Sequence, residues 1–587
     1  MRLLYISIAF IFINLDVLAQ KHDYVWLFGK DSQTDTSFAG TVIDFNSSPP
    51  DIYYEFRDMN FNITNASICN ADGQLLFYTN GIKVFNWQNE IMENGEGLNP
   101  GEYADNNQDR GYVLEQGAMA LPVPNSDSLF YLIHVDKNYP VGNHSFHSKR
   151  VYFSLIDMIQ NNGSGKVLSK NVLIFEDFLR AGHITATRHA NGRDWWIIVP
   201  QFDSNQYYTI LFTSNGIEDI QTIEMGEQVL TGGFQSSFSP DGKKYARIDI
   251  KYAGESEHQV TLYDFDRCTG VFTNPISFTF IDLAFGGGGL AFSENSRFLY
   301  VTSWFNVYQF DLNAPNIEAT MIKVAEYDGF EDPIYDLNTD FKLAQLGPNG
   351  KIYIACGTNA NYLHIIHTPN NRGLACNVEQ HGLELAALND RSIPNFPYYA
   401  LGPLDGSPCD TLGIDNPPPQ AAFSYVIEDS AAFQVAFYDG TRFSPESWLW
   451  DFGDGQSSTE RFPVHAYAEA GVYEVCLTAS NQTGSDTFCD TVNFLATGVQ
   501  EAISMPPGFS VFPNPASSRL AVRSGRPFAG QRLSLYSVMG REVLAHGLPE
   551  GATSFAFSVA GLPPGVYFVR IWEGAAAVWS ARVVVGR

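Results

Sequence analysis

Positive charge is scarce in this chain: 35 Lys and Arg stand against 64 Asp and Glu, a formal net charge of -29 over 587 residues. A surface of that sign repels a phosphate backbone, which excludes nucleic acid as a partner and disfavours adsorption to anionic lipid. Long apolar runs are missing too. The longest, Leu3 to Ile13, is about half of the ~20 residues that cross a bilayer as a helix. Cys-x-x-Cys does not occur, which removes ribbon and finger types of structural zinc. Neither Gly-x-Ser-x-Gly nor His-Glu-x-x-His is found, and no dinucleotide fingerprint joins a strand to a helix.

What is abundant points one way. Aromatics make up 14% of the chain, beside 50 Gly and 30 Pro. Aromatics suit a pleated surface while Gly and Pro punctuate it, so the chain reads as all-β. At this length a single core is too small, and two or three domains are expected. Met1-Arg2, the short apolar run and Val17-Leu18-Ala19 form a signal peptide over residues 1–19, cleaved between Ala19 and Gln20. Seven cysteines in an exported chain leave at least one unpaired.

A turn followed by an apolar strand recurs six times. The turn pairs are Asp72-Gly73, Asn125-Ser126, Asn191-Gly192, Asp241-Gly242, Asn295-Ser296 and Asn349-Gly350, spaced by 53, 66, 50, 54 and 54 residues. Each supplies the positive φ of a tight hairpin, and the strand behind it, such as Leu75-Leu76-Phe77-Tyr78 or Trp195-Trp196-Ile197, supplies a face to bury. That spacing fits four-stranded propeller blades with variable outer loops. Residues 20–410 are therefore read as a β-propeller of six or seven blades, the strands at 24–45 completing the last blade or adding a seventh. An array of β-sandwiches is the competing arrangement. Ser239-Pro240-Asp241-Gly242-Lys243 resembles the turn of WD-like repeats. Asp23 to Gly29, Tyr152 to Met158 and His189 to Trp196 resemble segments of secreted Bacteroidetes propellers.

Residues 411–419, with Pro417-Pro418-Pro419, read as a stiff extended linker. Beyond it, Trp450-Asp451-Phe452-Gly453-Asp454-Gly455 and the run Gly471 to Thr478 resemble a polycystic-kidney-disease (PKD) domain, an immunoglobulin-like sandwich, over 420–497. Trp450 and Phe452 are expected to point inward, with Asp451 and Asp454 tying down the turn. Cys476 and Cys489 lie symmetrically about Asn481-Gln482-Thr483-Gly484, so a hairpin sets them opposite one another at disulfide range. A Cys376–Cys409 bridge is a weaker expectation from their flanking the propeller's end.

After a second linker at 498–507 the sign of the charge changes: from Gly508 on there are eight Arg and three Glu with no Lys or Asp, a net +5 against -34 for the rest. Pro513-Asn514-Pro515, Gly540 and Gly565-Val566-Tyr567 lie in a run of short strands that resembles the C-terminal sorting domain of the type IX secretion system, here 508–587. The resemblance implies a small β-sandwich, recognition by the secretion machinery, removal by its sortase and attachment of the remainder to surface lipopolysaccharide, at the cell surface or outside the cell.

Chemistry is less legible. His144 and His147 form an His-x-x-His near His183 and His189, but further metal ligands are not evident, and loop or core roles are the default. Gly286 to Gly289 precedes a strand, not a helix, so close backbone approach explains it better than a phosphate cradle. Asp451 and Asp454 lack the ligand pattern of an EF-hand, leaving at most weak Ca²⁺ binding. No catalytic residue, cofactor or metal site is assigned. The favoured reading is a surface-displayed binding or structural protein whose propeller presents a recognition face to a glycan or protein, with Tyr103, Tyr139 and Trp304 as candidate contacts. The alternative is a secreted hydrolase or lyase of polysaccharide or peptide working in the propeller channel.

Overall fold

A computed structural model describes residues 20–29, 40–139, 147–180, 182–228, 235–253, 255–282, 288–494, 509–512, 519–524, 527–537, 542–563, 565–573 and 576–585. Within it the chain forms two compact units, residues 1–494 and 495–587.

Seven antiparallel sheets follow one another between Val25 and Glu384, each a meander of strands in sequence order, and together they make a seven-bladed propeller. The six turn pairs each join the first two strands of blades two to seven. Their backbones carry the positive φ that those residue types tolerate, 87° at Gly73, 63° at Asn125, 73° at Gly192, 67° at Gly242, 61° at Ser296 and 75° at Gly350. Strand Trp195–Pro200 shows why a blade needs neighbours on both sides. All six residues are buried, with Trp195, Ile197 and Val199 packing in one core cluster and Trp196 and Ile198 in another. Period-two alternation puts the two sets on opposite faces, so a blade left alone exposes one of them.

The seventh sheet is formed by the N-terminal strands β1 (Val25–Gly29), β2 (Gly40–Asp44) and β3 (Asp51–Glu55), not by an addition to the last blade. Ring closure is aromatic: Tyr353 of blade seven lies 5.4 Å from Trp26 and 5.7 Å from Phe45. Residues 393–400 form no strand and pack into the centre of the ring, where Ile393, Phe396 and Tyr399 join the core cluster of Trp26 and Asn395 N donates to Asn65 O.

The PKD domain is a sandwich of a three-stranded and a four-stranded sheet. Trp450, Phe452, Val435, Phe437, Val475, Leu477 and Val492 fill its core, and the indole of Trp450 donates to Glu460 O at 2.9 Å. It is not held away from the propeller by an extended linker. Asn416 Nδ2 donates to Pro403 O at 3.0 Å and Asn481 Nδ2 to Pro417 O at 2.8 Å, folding the linker back. The prolines stiffen the segment, but these amide contacts fix where it goes.

The second unit pairs a three-stranded with a four-stranded sheet around Leu520, Val522, Leu533, Leu535, Phe557, Val569, Ile571 and Val583. Among the described residues no helix is long and apolar enough to cross a membrane.

Candidate functional site

The six turns define one face of the propeller, called here the turn face; the connections between blades open on the other. The PKD domain covers the turn face at blades six and seven. Arg442 Nε meets Glu294 Oε1 at 2.6 Å and Arg442 Nη2 donates to Pro348 O at 3.1 Å, while Arg461 Nη2 donates to Asn295 O at 3.2 Å. Ala436 and Tyr438 join the apolar cluster of Phe298, Tyr300 and Ile352. At blades four and five the same face is crossed by residues 401–409, through Arg267 Nη2 to Gly402 O and a Cys268–Cys409 disulfide.

The channel itself is filled. Asn395 Nδ2 donates to Ala118 O and Ile184 O at 3.0 and 3.1 Å, Asn395 N donates to Asn65 O, and Tyr399 Oη donates to Ala120 O at 2.7 Å. Gln116 and Gln235 lace across the axis, to Ser236 O and Ala344 O respectively. Beside Pro397 lie voids of ≈ 20 and ≈ 30 Å³, about one water each. Above them Lys342 Nζ and Glu115 Oε1 pair at 3.2 Å, joining blades seven and three over the mouth.

The open face carries a depression of ≈ 510 Å³, lined by Tyr335, Leu337, Gly357, Thr358, Asn359, Leu388 and Arg391. Its rim is made by a compact turn. The buried carboxylate of Asp332 accepts from Ile334 N at 2.9 Å and Tyr335 N at 2.7 Å, an Asx turn that throws both side chains outward. Ile334 is 69% exposed and Tyr335 36%. Gly357 permits contact with Trp304, since a Cβ there would fall 2.9 Å from the indole. Beneath the floor lies Asp340, fully buried, its Oδ1 accepting from Gly357 N at 2.7 Å; burial pushes its carboxyl up to about 6.

Next to Asp340, Cys356 Sγ and His364 Nε2 stand 3.7 Å apart, a nucleophile and base by residue type. Both are sealed in the core, and burial drives the thiol well above its usual range and the imidazole down to about 4. Each is thus held in its neutral form, the opposite of an activated thiolate–imidazolium pair. Sequence spacing had not paired them; Cys356 follows the strand Ile352–Ala355 and His364 stands opposite Ile354 in the paired strand Tyr362–Ile366, so the two become neighbours only through strand register.

The residues singled out from sequence fall as follows. Cys476 and Cys489 are opposite one another in the hairpin Val472–Asn481/Gly484–Asn493 and are bonded. Cys409 is bonded to Cys268, not to Cys376, which is buried among blade-seven side chains; the tail after the plug turns towards blade five, out of reach of Cys376. Asp451 Oδ1 accepts from Gly453 N and Asp454 Oδ1 from Gln456 N, both at 2.9 Å, with Gly453 and Gly455 at φ 75° and 88°. Asp454 Oδ2 also pairs with His465 Nε2 at 2.8 Å, a ring stacked 4.0 Å from Phe452. These hydrogen bonds outweigh burial and hold the Asp454 carboxyl below its usual range. His147 and His183 are buried, His189 accepts from Asn191 N at 3.0 Å, and Gly289 lies so close to Lys342 O that a Cβ would meet it at 2.3 Å. Tyr103 is buried under Lys137, whereas Tyr139 keeps 36% exposure and Trp304 is half-buried.

Gln20 lines a cleft of ≈ 320 Å³ on the turn face, where its Oε1 accepts from Arg188 Nη2. Gly565, Val566 and Tyr567 open the strand Gly565–Glu573, and Tyr567 Oη donates to Pro563 O at 2.8 Å. Ala19, His144, Gly286, Gly287, Pro513, Asn514, Pro515, Gly540 and the linker 498–507 lie outside the described residues. Among the described residues no group of three or more His, Cys, Asp or Glu converges as a metal site.

Comparison with known proteins identifies two of these modules. Residues 416–495 match the PKD domain, and residues 510–586 match the secretion system C-terminal sorting domain. The pre-pro-metalloprotease PrtV of Vibrio cholerae serotype O1 is 37% identical over 79 residues, 13% of this chain and 9% of that protein. Collagenase ColA of Bacillus cereus is 49% identical over 68 residues, 11% of this chain and 7% of its own length. The chain thus spans less than a tenth of these relatives. Among solved structures, the PKD1 domain of Vibrio anguillarum Epp is 30% identical with a TM-score of 0.13, covering 14% of this chain and 95% of that one. The Dos1 propeller is 10% identical with a TM-score of 0.31, covering 57% and 90%. The sorting domain makes the chain a substrate of the type IX secretion machinery, delivered to the cell surface or the extracellular space.

Proposed function

We propose that this exported chain is a binding protein whose open propeller face takes a saccharide in the depression beside Tyr335 and Arg391. One observation carries the reading: the PKD domain and the tail cross the turn face at blades four to seven and residues 393–400 fill the channel, while the depression on the open face offers an exposed aromatic ring beside hydrogen-bonding groups. Tyr335 offers a ring to stack on a sugar, and the Thr358 hydroxyl, Asn359 amide and Arg391 guanidinium offer hydrogen bonds around it, the mixture usual in ligand sites. A protein epitope is the other ligand class for the same face. Removal of the sorting domain by the machinery's sortase and attachment to surface lipopolysaccharide complete the proposal.

A hydrolase or lyase working in the channel has less support, because the voids beside Pro397 hold about one water each and the Cys356–His364 pair is neutral and sealed. A glycan array probed with the secreted chain tests the reading. Wild-type protein is expected to retain a defined set of oligosaccharides, and Tyr335→Ala or Arg391→Ala to lose them without a change in melting temperature. Binding that persists in both variants, or turnover of any arrayed glycan, overturns it.

A further inference from the structure

The outer rim of the propeller carries a second feature, remote from the open face. β3 is the outermost strand of blade one, and its residues Asp51 to Tyr54 are all exposed. Ile52, Tyr53 and Tyr54 keep 39, 46 and 39% exposure, and Phe56 just beyond keeps 58%. No other described segment has three consecutive large apolar residues this exposed.

Outer strands are a hazard, since their unpaired N–H and C=O groups template pairing with other chains, and proteins blunt them with bulges or charge. On blade two the outer strand, Val84–Asn86, is three residues long and buried, and the other five are blunted. The outer strands Lys166–Leu179, Gly216–Glu224, Val271–Asp282, Ile322–Glu326 and Val378–Glu384 each meet their neighbour with a break in register. β3 runs beside β2 with no break over five pairs, from Gly40 opposite Glu55 to Asp44 opposite Asp51. It is straight, aromatic and uncovered.

Charge says what it suits. Asp51 stands directly across from Asp44, a like-charge pair that costs stability in a sheet. Asp44 is met only by Asn46, through its backbone N–H and its Nδ2, and no cation pairs with Asp51 among the described residues. At the other end Glu55 is already paired with Arg57, at 2.7 Å. A second copy of the chain is a poor occupant, because antiparallel self-pairing centred on Tyr53 sets Asp51 against Glu55 of the other copy at both ends.

From the straight edge, its aromatic cover and the uncompensated Asp44–Asp51 pair, we infer that β3 is a docking strand for an extended segment of another polypeptide, which adds a fourth strand and sets a Lys or Arg beside Asp51. Backbone pairing supplies the affinity, alternate apolar side chains pack on Ile52, Tyr53 and Tyr54, and the cation selects the partner.

The probe is a fluorescent nine-residue peptide, Lys-Thr-Val-Thr-Val-Tyr-Val-Thr-Lys, titrated against the full secreted chain by anisotropy, with a second peptide carrying Glu in place of both Lys. The basic peptide is expected to bind saturably and to protect the amides of Ile52 to Phe56 from exchange. Asp51→Lys is expected to weaken it about tenfold and to admit the Glu peptide instead, a reversal that simple unfolding does not produce. No saturation by about 1 mM, equal binding to Asp51→Lys, or equal binding of a peptide N-methylated at alternate residues each overturns the inference. So does an oligosaccharide that binds in a Tyr53-dependent way while the peptide does not, which makes the strand a sugar platform. Because Tyr335 and Arg391 lie elsewhere, their variants should leave peptide binding unchanged, which separates this failure from failure of the proposed glycan site.

Discussion

Lys342 Nζ and Glu115 Oε1 meet at 3.2 Å over the channel mouth, although their blades are the seventh and the third. Lys342 is 3% exposed, and this carboxylate is its ion-pair partner. Glu115→Gln leaves a buried ammonium with a neutral partner and is expected to cost about 3 kcal/mol, while Glu115→Leu with Lys342→Met should cost much less. Urea unfolding of the single and double variants checks the difference, and equal losses would show that the pair is not what matters there.

Asn395 is the hub of the plug. Its amide donates to Ala118 O and Ile184 O and accepts from Gln116 Nε2 at 3.1 Å. Asn395→Ala orphans two buried carbonyls and is expected to destabilise by about 2–3 kcal/mol. The measurement is the melting temperature of the propeller–PKD unit; a shift under one degree would mean that the axis is held by packing alone.

Acid should loosen the propeller through its neutral histidines. Burial holds His134 down to about 3, its nitrogens meeting Asn99 Oδ1 at 2.7 Å and Ser154 Oγ at 2.9 Å, and burial holds His364 down to about 4. The unfolded chain protonates first, near its usual value of about 6.5, so this stabilisation is complete above that pH and declines as pH falls towards 3 to 4. His134→Gln should flatten the decline in urea midpoints between pH 7.5 and 4.5.

Asp340 works in the other direction. Raised to about 6 by burial, it takes a proton in the folded state before the unfolded chain does, so its contribution grows as pH drops from 6 towards 4. Asp340→Asn is expected to raise stability at pH 7.5 and to leave it unchanged near pH 4. Equal effects at both values would rule out a titrating carboxyl.

The Cys476–Cys489 bond closes a short hairpin of 13 residues' separation. Replacing both with Ser should lower PKD stability by about 2–3 kcal/mol by freeing the unfolded chain, and calorimetry under non-reducing conditions reads it directly.

Local geometry was legible wherever short-range chemistry decides it. Asp72-Gly73 and Asn349-Gly350 turn because those residues accept positive φ, and Trp450, Asp451 and Asp454 do what a tight turn asks of them. Cys476 met Cys489 because a hairpin's register follows from its turn. Cys409 was a different case: its partner, Cys268, is 141 residues away, and no spacing rule reaches that far. Tyr103 resembled a loop aromatic until Lys137 and Tyr112 were folded over it.

By itself the sequence determined that the chain is all-β, where its repeats turn, and that it carries a PKD domain and a sorting domain, because turn conformers and two-residue alternation act within a few residues. Only the tertiary structure decided that the ring has seven blades, that residues 393–400 close its channel and that the PKD domain covers one face. Those outcomes rest on pairings such as Asn395 with Ala118 and Arg442 with Glu294, whose members lie 277 and 148 residues apart. Contacts at that range arise from how whole blades pack, and packing is a property of the assembled core.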